Sequence, residues 1–368
     1  MSLRASDCGW QPSGPANDAP REGSLAVKIA INQAPYDGPW GGGNRFVVAL
    51  ADAASSASHA VVHDLKARDI DVILMVDPRE RSPNVRFGAG AILRYLALKN
   101  PNAIVVHRIN ECDERKNEAF INAKLVRANY AADVTVFVGE WLSRLPVWRK
   151  ALHTPWFTVR NGADTRIFHR SGFTPWTGEG PLKLVTHHWG FHPMKGFDVY
   201  AEIDRLLGDP QWRRRLAFTY VGQLPPGFSF ANSRYVAPLN GAELGAELRS
   251  HHAYLTASIN EPGGNHQNEG ALSGLPLLYR NSGCMPEYCE GFGIAFSGLD
   301  DFVPALEQLR TDYPSLVRRM PSFPLTAERM TREWLALLSA LVDDRETLVR
   351  GRRLMRDPWA AFVTQIPL

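Results

Sequence analysis

The sequence predicts an α/β protein of two domains, each built on a parallel sheet. The first observation is the length, because 368 residues exceed one ordinary domain and are typical of two. The second is the alternation of short apolar runs with helical stretches, which is typical of βαβ units. The third is a stretch rich in Gly and Pro at 170–181, after which the alternation starts again. We therefore predict that this stretch is a linker between two similar sheets.

The first predicted domain covers 25–169 and follows an arm at 1–24 that is rich in Gly, Pro and Ser, which we expect to be mobile. Its first strand is predicted at 27–32. Gly41, Gly42 and Gly43 come next, and we expect Asn44 to cap the helix that follows them. Further strands are predicted at 72–76, 103–106 and 134–138, and helices at 44–56, 89–99 and 115–129.

The second predicted domain covers 182–345 and repeats the same alternation. Strands are predicted at 182–186, 216–221, 253–257 and 277–279, and helices at 197–207, 241–250, 269–274 and 301–312. Apolar residues at helical spacing around Trp334 extend the helical pattern to the end of the chain. We expect 346–368 to be a helical tail that packs on the first domain.

Composition excludes some classes of function. The chain has 41 basic and 38 acidic residues, a net charge of +3, which does not favour a nucleic-acid surface. Its four cysteines, Cys8, Cys112, Cys284 and Cys289, include no C-x-x-C pair, so neither a zinc site nor a disulfide scaffold is expected. A cytoplasmic location fits this cysteine usage. The sequence does not indicate an oligomeric state.

Membrane and metal binding have weaker signals. No run of about 18 apolar residues occurs, so no membrane-spanning helix is expected. The apolar residues Ile92, Leu93, Leu96 and Leu98 fit either peripheral contact with a membrane or packing in a core. The sequence Asp69-Ile70-Asp71 has the D-x-D spelling, but it leads into a predicted strand instead of following one. We therefore predict no metal site.

Ligands of parallel sheets bind beyond the carboxyl ends of the strands, so the loops there are the candidates. The glycines Gly42 and Gly43 can present backbone amides to a diphosphate at a helix start, although a tight turn explains them equally well. His107 and Arg108, placed directly after the strand at 103–106, can bind hydroxyls and negative charge. Local packing is the alternative explanation for His107.

Two loops of the second domain have more specific patterns. Lys195, just before the helix at 197, suits a phosphate, although most lysines are simply exposed. Glu261 and Glu269 are separated by seven residues that are all Gly, Pro or polar. Such a loop offers the donors and acceptors that a polyhydroxylated sugar needs, and the alternative is a solvated surface loop.

These motifs resemble those of a known family. Glu261 and Glu269 match the E-x7-E motif of retaining GT-B glycosyltransferases, and the segment 261–276 resembles the donor-site segment of glycosyltransferase family 4. Asn161-Gly162-Ala163-Asp164 resembles the N-G-V-D signature of that family, and Lys195-Gly196 resembles its K-G motif. The matches run in order from about 27 to 340. The resemblance implies the GT-B fold, two Rossmann-like domains with a nucleotide-sugar cleft between them.

The resemblance also implies an activity, the metal-independent transfer of a sugar from a UDP- or GDP-linked donor with retention of configuration. The implied catalytic residues are His107, which reaches the donor sugar, Lys195, which neutralises the leaving diphosphate, and Glu261, which faces the sugar. Glu269 would bind the ribose hydroxyls, and Val236 would lie near the base. The other implied donor-binding residues are Gly42, Gly43, Arg108, His188, Gly264, Asn265, His266, Gln267 and Asn268. No separate cofactor is implied.

One position departs from the pattern, and other functions stay open. Many members of the family carry Arg five residues before the lysine, where this chain has Gly190. The second cation would then come from His188 or Arg108, or be missing. The alternatives are an inactive GT-B nucleotide or sugar binder, a GT-B epimerase and an NAD-dependent oxidoreductase, although Phe46 stands where a dinucleotide site needs its third glycine. The acceptor is a polysaccharide, a lipid carrier or a small natural product.

Overall fold

The computed structural model describes residues 26–36, 42–350, 352 and 354–368. The predicted arm at 1–24 and Gly41 lie outside this part. Contacts divide the chain into two units, the first within Met1–Asp113, Ala119–Val159 and Thr331–Leu368, and the second Glu114–Glu118 and Arg160–Met330. By this division the second unit begins before the predicted linker at 170–181 and ends before the predicted limit at 345.

The first unit contains a parallel sheet with the strand order β2-β1-β3-β4-β5-β6. Its strands are Lys28–Ile31 (β1), Ala60–Val62 (β2), Val72–Met75 (β3), Ile104–Ile109 (β4), Val134–Phe137 (β5) and Trp156–Thr158 (β6). Its first five helices are Gly42–Ser56 (α1), Ala89–Leu98 (α2), Ile121–Asn129 (α3), Glu140–Ser143 (α4) and Pro146–Ala151 (α5). The strands β3, β4 and β5 are buried along their whole length, as expected for inner strands of a parallel sheet.

The structure bears on two local expectations in the first unit. Ile92, Leu93 and Leu96 of α2 are buried in the core, whereas Leu98 is exposed, so core packing explains the apolar pattern of the first three residues. The helix α1 begins at Gly42, and the side chain of Asn44 exchanges hydrogen bonds with the backbone of Tyr36 (3.2 and 2.8 Å) instead of capping the helix. Within the described residues, we find no helix with the length and apolar character needed to cross a membrane.

The second unit contains another parallel sheet, with the order β12-β11-β10-β7-β8-β9. Its strands are Leu182–His188 (β7), Leu216–Gly222 (β8), Arg234–Val236 (β9), Ala253–Thr256 (β10), Leu277–Arg280 (β11) and Gly293–Phe296 (β12). Its helices are Phe197–Leu206 (α6), Pro210–Arg213 (α7), Gly241–Arg249 (α8), His266–Leu272 (α9), Met285–Cys289 (α10) and Leu299–Arg319 (α11).

The last helices make their contacts largely within the first unit. They are Ala327–Asp343 (α12), Arg345–Arg350 (α13) and Pro358–Thr364 (α14), and the division between the units falls near the start of α12. Trp334 of α12 packs edge-on against Phe46 at a ring distance of 5.3 Å. Further along, Arg352 pairs with Asp133. Because these side chains are buried or half-buried, they hold the tail helices on the first sheet.

Each sheet has one place where the strand order reverses, between β1 and β3 in the first and between β7 and β10 in the second. At such a switch point the connections leave in opposite directions, which opens a crevice at the carboxyl ends of the two strands. The loops that follow β7 and β10 contain Lys195 and Glu261, so the topology brings these two residues together at the carboxyl ends of the central strands of the second sheet.

Candidate functional site

Lys195 owes its position to the glycine that follows it. It ends a 3₁₀ turn at Pro193–Lys195, and Gly196 then adopts φ +93° before α6 begins. A Cβ at Gly196 would lie 2.3 Å from the Cβ of Ala257, so both the left-handed backbone and the close approach to β10 require glycine. The backbone N–H of Ile259 donates to the Met194 carbonyl (2.8 Å), which ties the two loops together.

Glu261 lies between two cations. Its Oε2 is 2.5 Å from Lys195 Nζ, and its Oε1 is 3.7 Å from Arg115 Nε. The side chains of Glu261 and Lys195 are only 7% and 13% exposed, so this is a largely buried charge cluster. Burial by itself raises the pKa of Glu261, but the charges of Lys195 and Arg115 outweigh that effect and lower the pKa to about 2. The carboxylate is therefore ionised, and the three side chains together carry one net positive charge.

Glu269, the other carboxylate of the motif, has different partners. The helix α9 begins at His266, earlier than the predicted 269, and Glu269 therefore lies in its first turn. Its Oε2 is 2.7 Å from His187 Nε2, and the Tyr254 hydroxyl is 3.0 Å from His187 Nδ1. His187 thus lies between the Tyr254 hydroxyl and the Glu269 carboxylate and orients that carboxylate.

His188 and His266 are neutral groups beneath this edge of the sheet. His188 Nε2 lies 2.8 Å from the Tyr200 hydroxyl, and His266 Nε2 lies 2.8 Å from Thr256 Oγ1. Burial lowers the pKa of His266 to about 3 and that of His188 well below its ordinary value, to which the neighbouring charge of Lys195 also contributes. This lowered pKa favours the neutral imidazole of His188, which counts against its use as a second cation.

The loop between the two glutamates is buried, which excludes the solvated alternative. Gln267 and Asn268 are 0% exposed. Gln267 Nε2 donates to the Gly264 carbonyl (2.6 Å), and Asn268 Nδ2 donates to the Asn161 carbonyl (3.0 Å). These side chains are hydrogen-bonded within the protein and stabilise the loop. The predicted contacts of 264–268 with a donor would therefore be made by the backbone amides, and Asn265 lies at the N-terminus of α9.

The segment around Asn161 supports the same loop. Asn161 Nδ2 donates to the Gly263 carbonyl (2.6 Å), and its backbone N–H donates to the Tyr288 hydroxyl (2.9 Å). A Cβ at Gly162 would lie 2.1 Å from the Thr326 carbonyl oxygen, so the chain passes too close there for a side chain. The N-G pair of this motif therefore positions the loop that carries Glu261.

Two predicted residues of the first unit, His107 and Arg108, lie elsewhere than expected. His107 and Arg108 are inside β4 instead of after it, because the ladder with β3 continues to His107 and the ladder with β5 continues through both residues to Ile109. His107 Nδ1 lies 2.9 Å from Asn129 Oδ1, and burial lowers the pKa of His107 to about 4. The Arg108 guanidinium is buried 4.0 Å over the ring of Phe46.

The remaining predicted residues are at the ends of elements. Gly42 and Gly43 begin α1, while Val236 ends the edge strand β9 of the second sheet. Within the described residues, no group of three His, Cys, Asp or Glu side chains is arranged to hold a metal ion. The structure thus brings together Lys195 with Glu261 and His187 with Glu269. Val236 lies on β9, which is separated from β7 by β8.

Several solved structures are similar to this chain, and one of them is described as a glycosyltransferase. Anabaena HepE in complex with UDP matches with a TM-score of 0.62 at 13% identity, over 86% of this chain and 100% of that one. Sucrose-phosphate synthase from Thermosynechococcus elongatus matches with a TM-score of 0.58 at 14% identity, over 86% and 99%. AviGT4, a glycosyltransferase involved in avilamycin A biosynthesis, matches with a TM-score of 0.57 at 14% identity, over 86% and 98%.

These likenesses establish the fold. The chain has the GT-B architecture, with two Rossmann-like parallel-sheet domains, as the sequence predicted. No protein-family model matches the sequence, and no curated protein matches it. The assignment to glycosyltransferase family 4 therefore stays a resemblance carried by the motifs.

Three residues of the site were not among the predicted ones. Arg115 lies in a stretch predicted as helix, but the structure has a 3₁₀ turn at Asp113–Arg115 and begins α3 at Ile121. His187 is next to the predicted His188 and points to Glu269, and Tyr254 lies inside β10. The sequence offers no signal for Arg115, because its contact with Glu261 joins residues 146 positions apart.

Proposed function

We propose that this chain is a retaining glycosyltransferase that moves a sugar from a nucleoside-diphosphate sugar to an acceptor hydroxyl without a metal ion. The observation that carries the proposal is the ionised Glu261 held between Lys195 and Arg115 beyond the β7–β10 switch point. A charge cluster with a net positive charge, buried where parallel sheets bind nucleotides, suits an anionic ligand.

The chemistry of glycosyl transfer requires such a cluster. The bond between the anomeric carbon and the diphosphate oxygen breaks, the electron pair leaves with the diphosphate, and positive charge develops on the sugar ring. Stabilising these charges by fixed groups supplies much of the catalysis. Lys195 neutralises the diphosphate, the Glu261 carboxylate faces the sugar, and the amides at the start of α9 contact both.

The similar structures support this class of donor. HepE has been crystallised with UDP, with UDP and glucose, and with UDP-glucose. UDP is therefore the first nucleotide to test, with GDP as the alternative base. The acceptor is a hydroxyl of a carbohydrate, a lipid-linked saccharide or a small natural product. We place the activity in the cytoplasm, because Cys112, Cys284 and Cys289 are free thiols.

Thermal unfolding with added ligand tests the donor class. A ligand that binds only the folded chain, present at about 100 times its Kd, adds about 2.7 kcal/mol to the free energy of unfolding. We expect UDP or GDP to raise the midpoint and NAD to leave it unchanged. The variant Glu269→Gln should lose most of the shift while its midpoint without ligand stays close to that of the wild type. A shift with NAD alone would make the chain an oxidoreductase.

Product analysis tests the reaction. With a nucleoside-diphosphate sugar and an acceptor, we expect nucleotide release that depends on the acceptor and a product with the anomeric configuration of the donor, measured by proton NMR. Nucleotide binding without any release would identify an inactive GT-B protein. A new sugar formed without an acceptor would identify an epimerase, and an inverted product would refute the retaining mechanism.

A further inference from the structure

Gly190 stands where many members of the resembling family carry an arginine, so this position supplies no positive charge to the candidate donor site. A leaving nucleoside diphosphate carries at least two negative charges, and Lys195 supplies one positive charge. Gly190 has no side chain, and a Cβ placed there would have no heavy atom within 4 Å. A second cation for the diphosphate therefore has to be sought in another part of the chain.

We propose that Arg115 is the second cation of the diphosphate site. The proposal rests on the function proposed above and adds a residue that no motif indicated. Arg115 and Lys195 contact the same carboxylate, Lys195 at Oε2 of Glu261 and Arg115 at Oε1. Before the ligand arrives, Glu261 thus holds the two cations on either side of one negative group. A diphosphate, whose oxygens are more widely spaced than those of a carboxylate, can bind both cations at once.

Arg115 belongs to a short segment that groups with the second unit. Contacts assign Glu114–Glu118 to that unit, and Asn260 Nδ2 donates to the Glu114 carbonyl (3.2 Å). Asn260 itself has φ +53°, a left-handed conformation that asparagine tolerates better than most residues, and its N–H donates to Ser282 Oγ (3.0 Å). The residue next to Glu261 therefore fixes the backbone next to Arg115.

The contact of Arg115 with Glu261 is an ion pair, and the Arg115 side chain is partly exposed. The 3.7 Å between Arg115 Nε and Glu261 Oε1 is an ion-pair distance, longer than a hydrogen bond. Its side chain is 28% exposed, more than that of Glu261 or Lys195. A guanidinium in that position can turn its N–H groups towards phosphate oxygens while it keeps its attraction to Glu261.

Three other candidate cations are less suitable. His188 is neutral at neutral pH because burial lowers its pKa. Arg280, at the end of β11, is buried, pairs with Asp198 Oδ2 at 2.5 Å and donates to the Ala257 carbonyl (3.2 Å). Arg108 lies within β4 of the first unit, buried over Phe46.

The test removes the cation at position 115 and restores a cation at position 190. Isothermal titration measures the binding of UDP, and of uridine as a ligand without phosphate, to the wild type, Arg115→Ala and Arg115→Ala/Gly190→Arg. We expect Arg115→Ala to weaken UDP binding by at least about tenfold and to change uridine binding by less than about twofold. The double variant should recover most of the lost UDP affinity, because the space at Gly190 accepts a side chain.

The matched control is Lys116→Ala, which removes a positive charge from the same segment but leaves the Glu261 cluster intact. We expect it to bind UDP like the wild type. Circular dichroism and the unfolding midpoint without ligand show whether each variant is folded, and Arg115→Lys provides a milder change with the charge kept.

Wild-type affinity for UDP in Arg115→Ala, or an equal loss of UDP and uridine affinity, would overturn the inference. A wild type that binds neither UDP nor GDP would overturn the proposed function first. If GDP is the nucleotide that binds, GDP and guanosine replace UDP and uridine in the same comparison.

Discussion

At both switch points of this chain the strand order reverses, but one holds a neutral amide and the other holds a cluster of charged side chains. In the first unit, Asn32 follows β1 and is fully buried. Its Oδ1 accepts from the N–H of Val76 (2.8 Å), and its Nδ2 donates to the carbonyls of Asp77 (2.6 Å) and Phe87 (3.1 Å). In the second unit, the equivalent place holds the charges of Lys195, Glu261 and Arg115.

The difference separates a structural residue from a functional cluster. A neutral amide whose polar atoms all bond to backbone stabilises the fold and leaves little to offer a ligand. A buried ion cluster is weak evidence for stability, because removing charges from water offsets most of their attraction. Its presence at a switch point is therefore better explained by ligand binding, and the four predictions below test this contrast.

The largest effect is expected for Lys195→Ala. This substitution removes the cation closest to Glu261. On the proposed function we expect the transfer rate to fall about 10²–10³-fold, as it does when a group that stabilises a developing anion is lost. The rate of nucleotide release under saturating donor measures this. Lys183→Ala is the matched control, because Lys183 is an exposed lysine on β7.

Stability must be separated from activity in this variant. Lys195→Ala leaves a buried carboxylate with one cation fewer, which destabilises the fold by up to about 3–5 kcal/mol. The double variant Lys195→Ala/Glu261→Gln removes that penalty. We expect it to regain stability in urea unfolding but to remain inactive. A stable and active double variant would mean that the charge cluster has no catalytic role.

Next in size is the effect of Gly196→Ala on stability. The φ of +93° and the contact with Ala257 require both a strained backbone and a displaced strand end, which together destabilise by about 2–4 kcal/mol. The midpoint of urea unfolding measures this. Gly190→Ala is the control from the same loop, with open space at its Cβ, and should change stability by less than about 0.5 kcal/mol. Equal effects of both variants would show that the K-G turn does not need its glycine.

Asn32→Ala tests the first switch point. Removal of the amide leaves buried and half-buried backbone groups of Val76, Asp77 and Phe87 without their partner, which destabilises by about 2 kcal/mol. Because Asn32 serves the fold, we expect the folded variant to bind nucleotide like the wild type. Asn102→Ala, at an exposed asparagine of the same unit, should leave stability unchanged. A loss of nucleotide affinity beyond the fraction unfolded would make the first switch point part of the site.

Most of the fold was predictable from the sequence, because its inner strands are continuous apolar runs. Such runs as Val72–Met75 have few other interpretations when helices alternate with them. The structure adds the short edge strands Ala60–Val62, Trp156–Thr158, Arg234–Val236 and Gly293–Phe296, which were not among the predicted strands. Edge strands of three or four residues are defined by their neighbours in the sheet and not by their own periodicity.

The site was predictable only where local chemistry determines it. Lys195 and Glu261 meet because a K-G turn and a polar loop follow strands on either side of a switch point. The prediction that β4 stops before His107 was wrong, because polar residues in a central strand are permitted when neighbouring strands supply the ladder. Arg115 could not be found, since its position depends on the packing of a distant turn against Asn260.

The smallest expected effect is on the pH dependence of stability, and it comes from the histidines of the second switch point. His266 has a folded-state pKa of about 3, below the ordinary value of 6.5 that it has in the unfolded chain. Between these two values the unfolded chain binds more protons, so stability is full above pH 6.5 and is lost as the pH falls. From pH 7 to 5.5 this group alone removes about 1 kcal/mol.

His266→Gln separates this contribution from the others. Its free energy of unfolding in urea should fall by about 1 kcal/mol less than that of the wild type between pH 7 and 5.5. His153→Gln, at an exposed histidine of the first unit, is the matched control and should follow the wild type. Glu261 does not interfere, because its pKa of about 2 lies below its ordinary 4.5 and its contribution is lost only as the pH falls from 4.5 towards 2. An unchanged pH dependence in His266→Gln would mean that His266 is protonated in the folded chain, in which case the second switch point holds more positive charge than Lys195 and Arg115 supply.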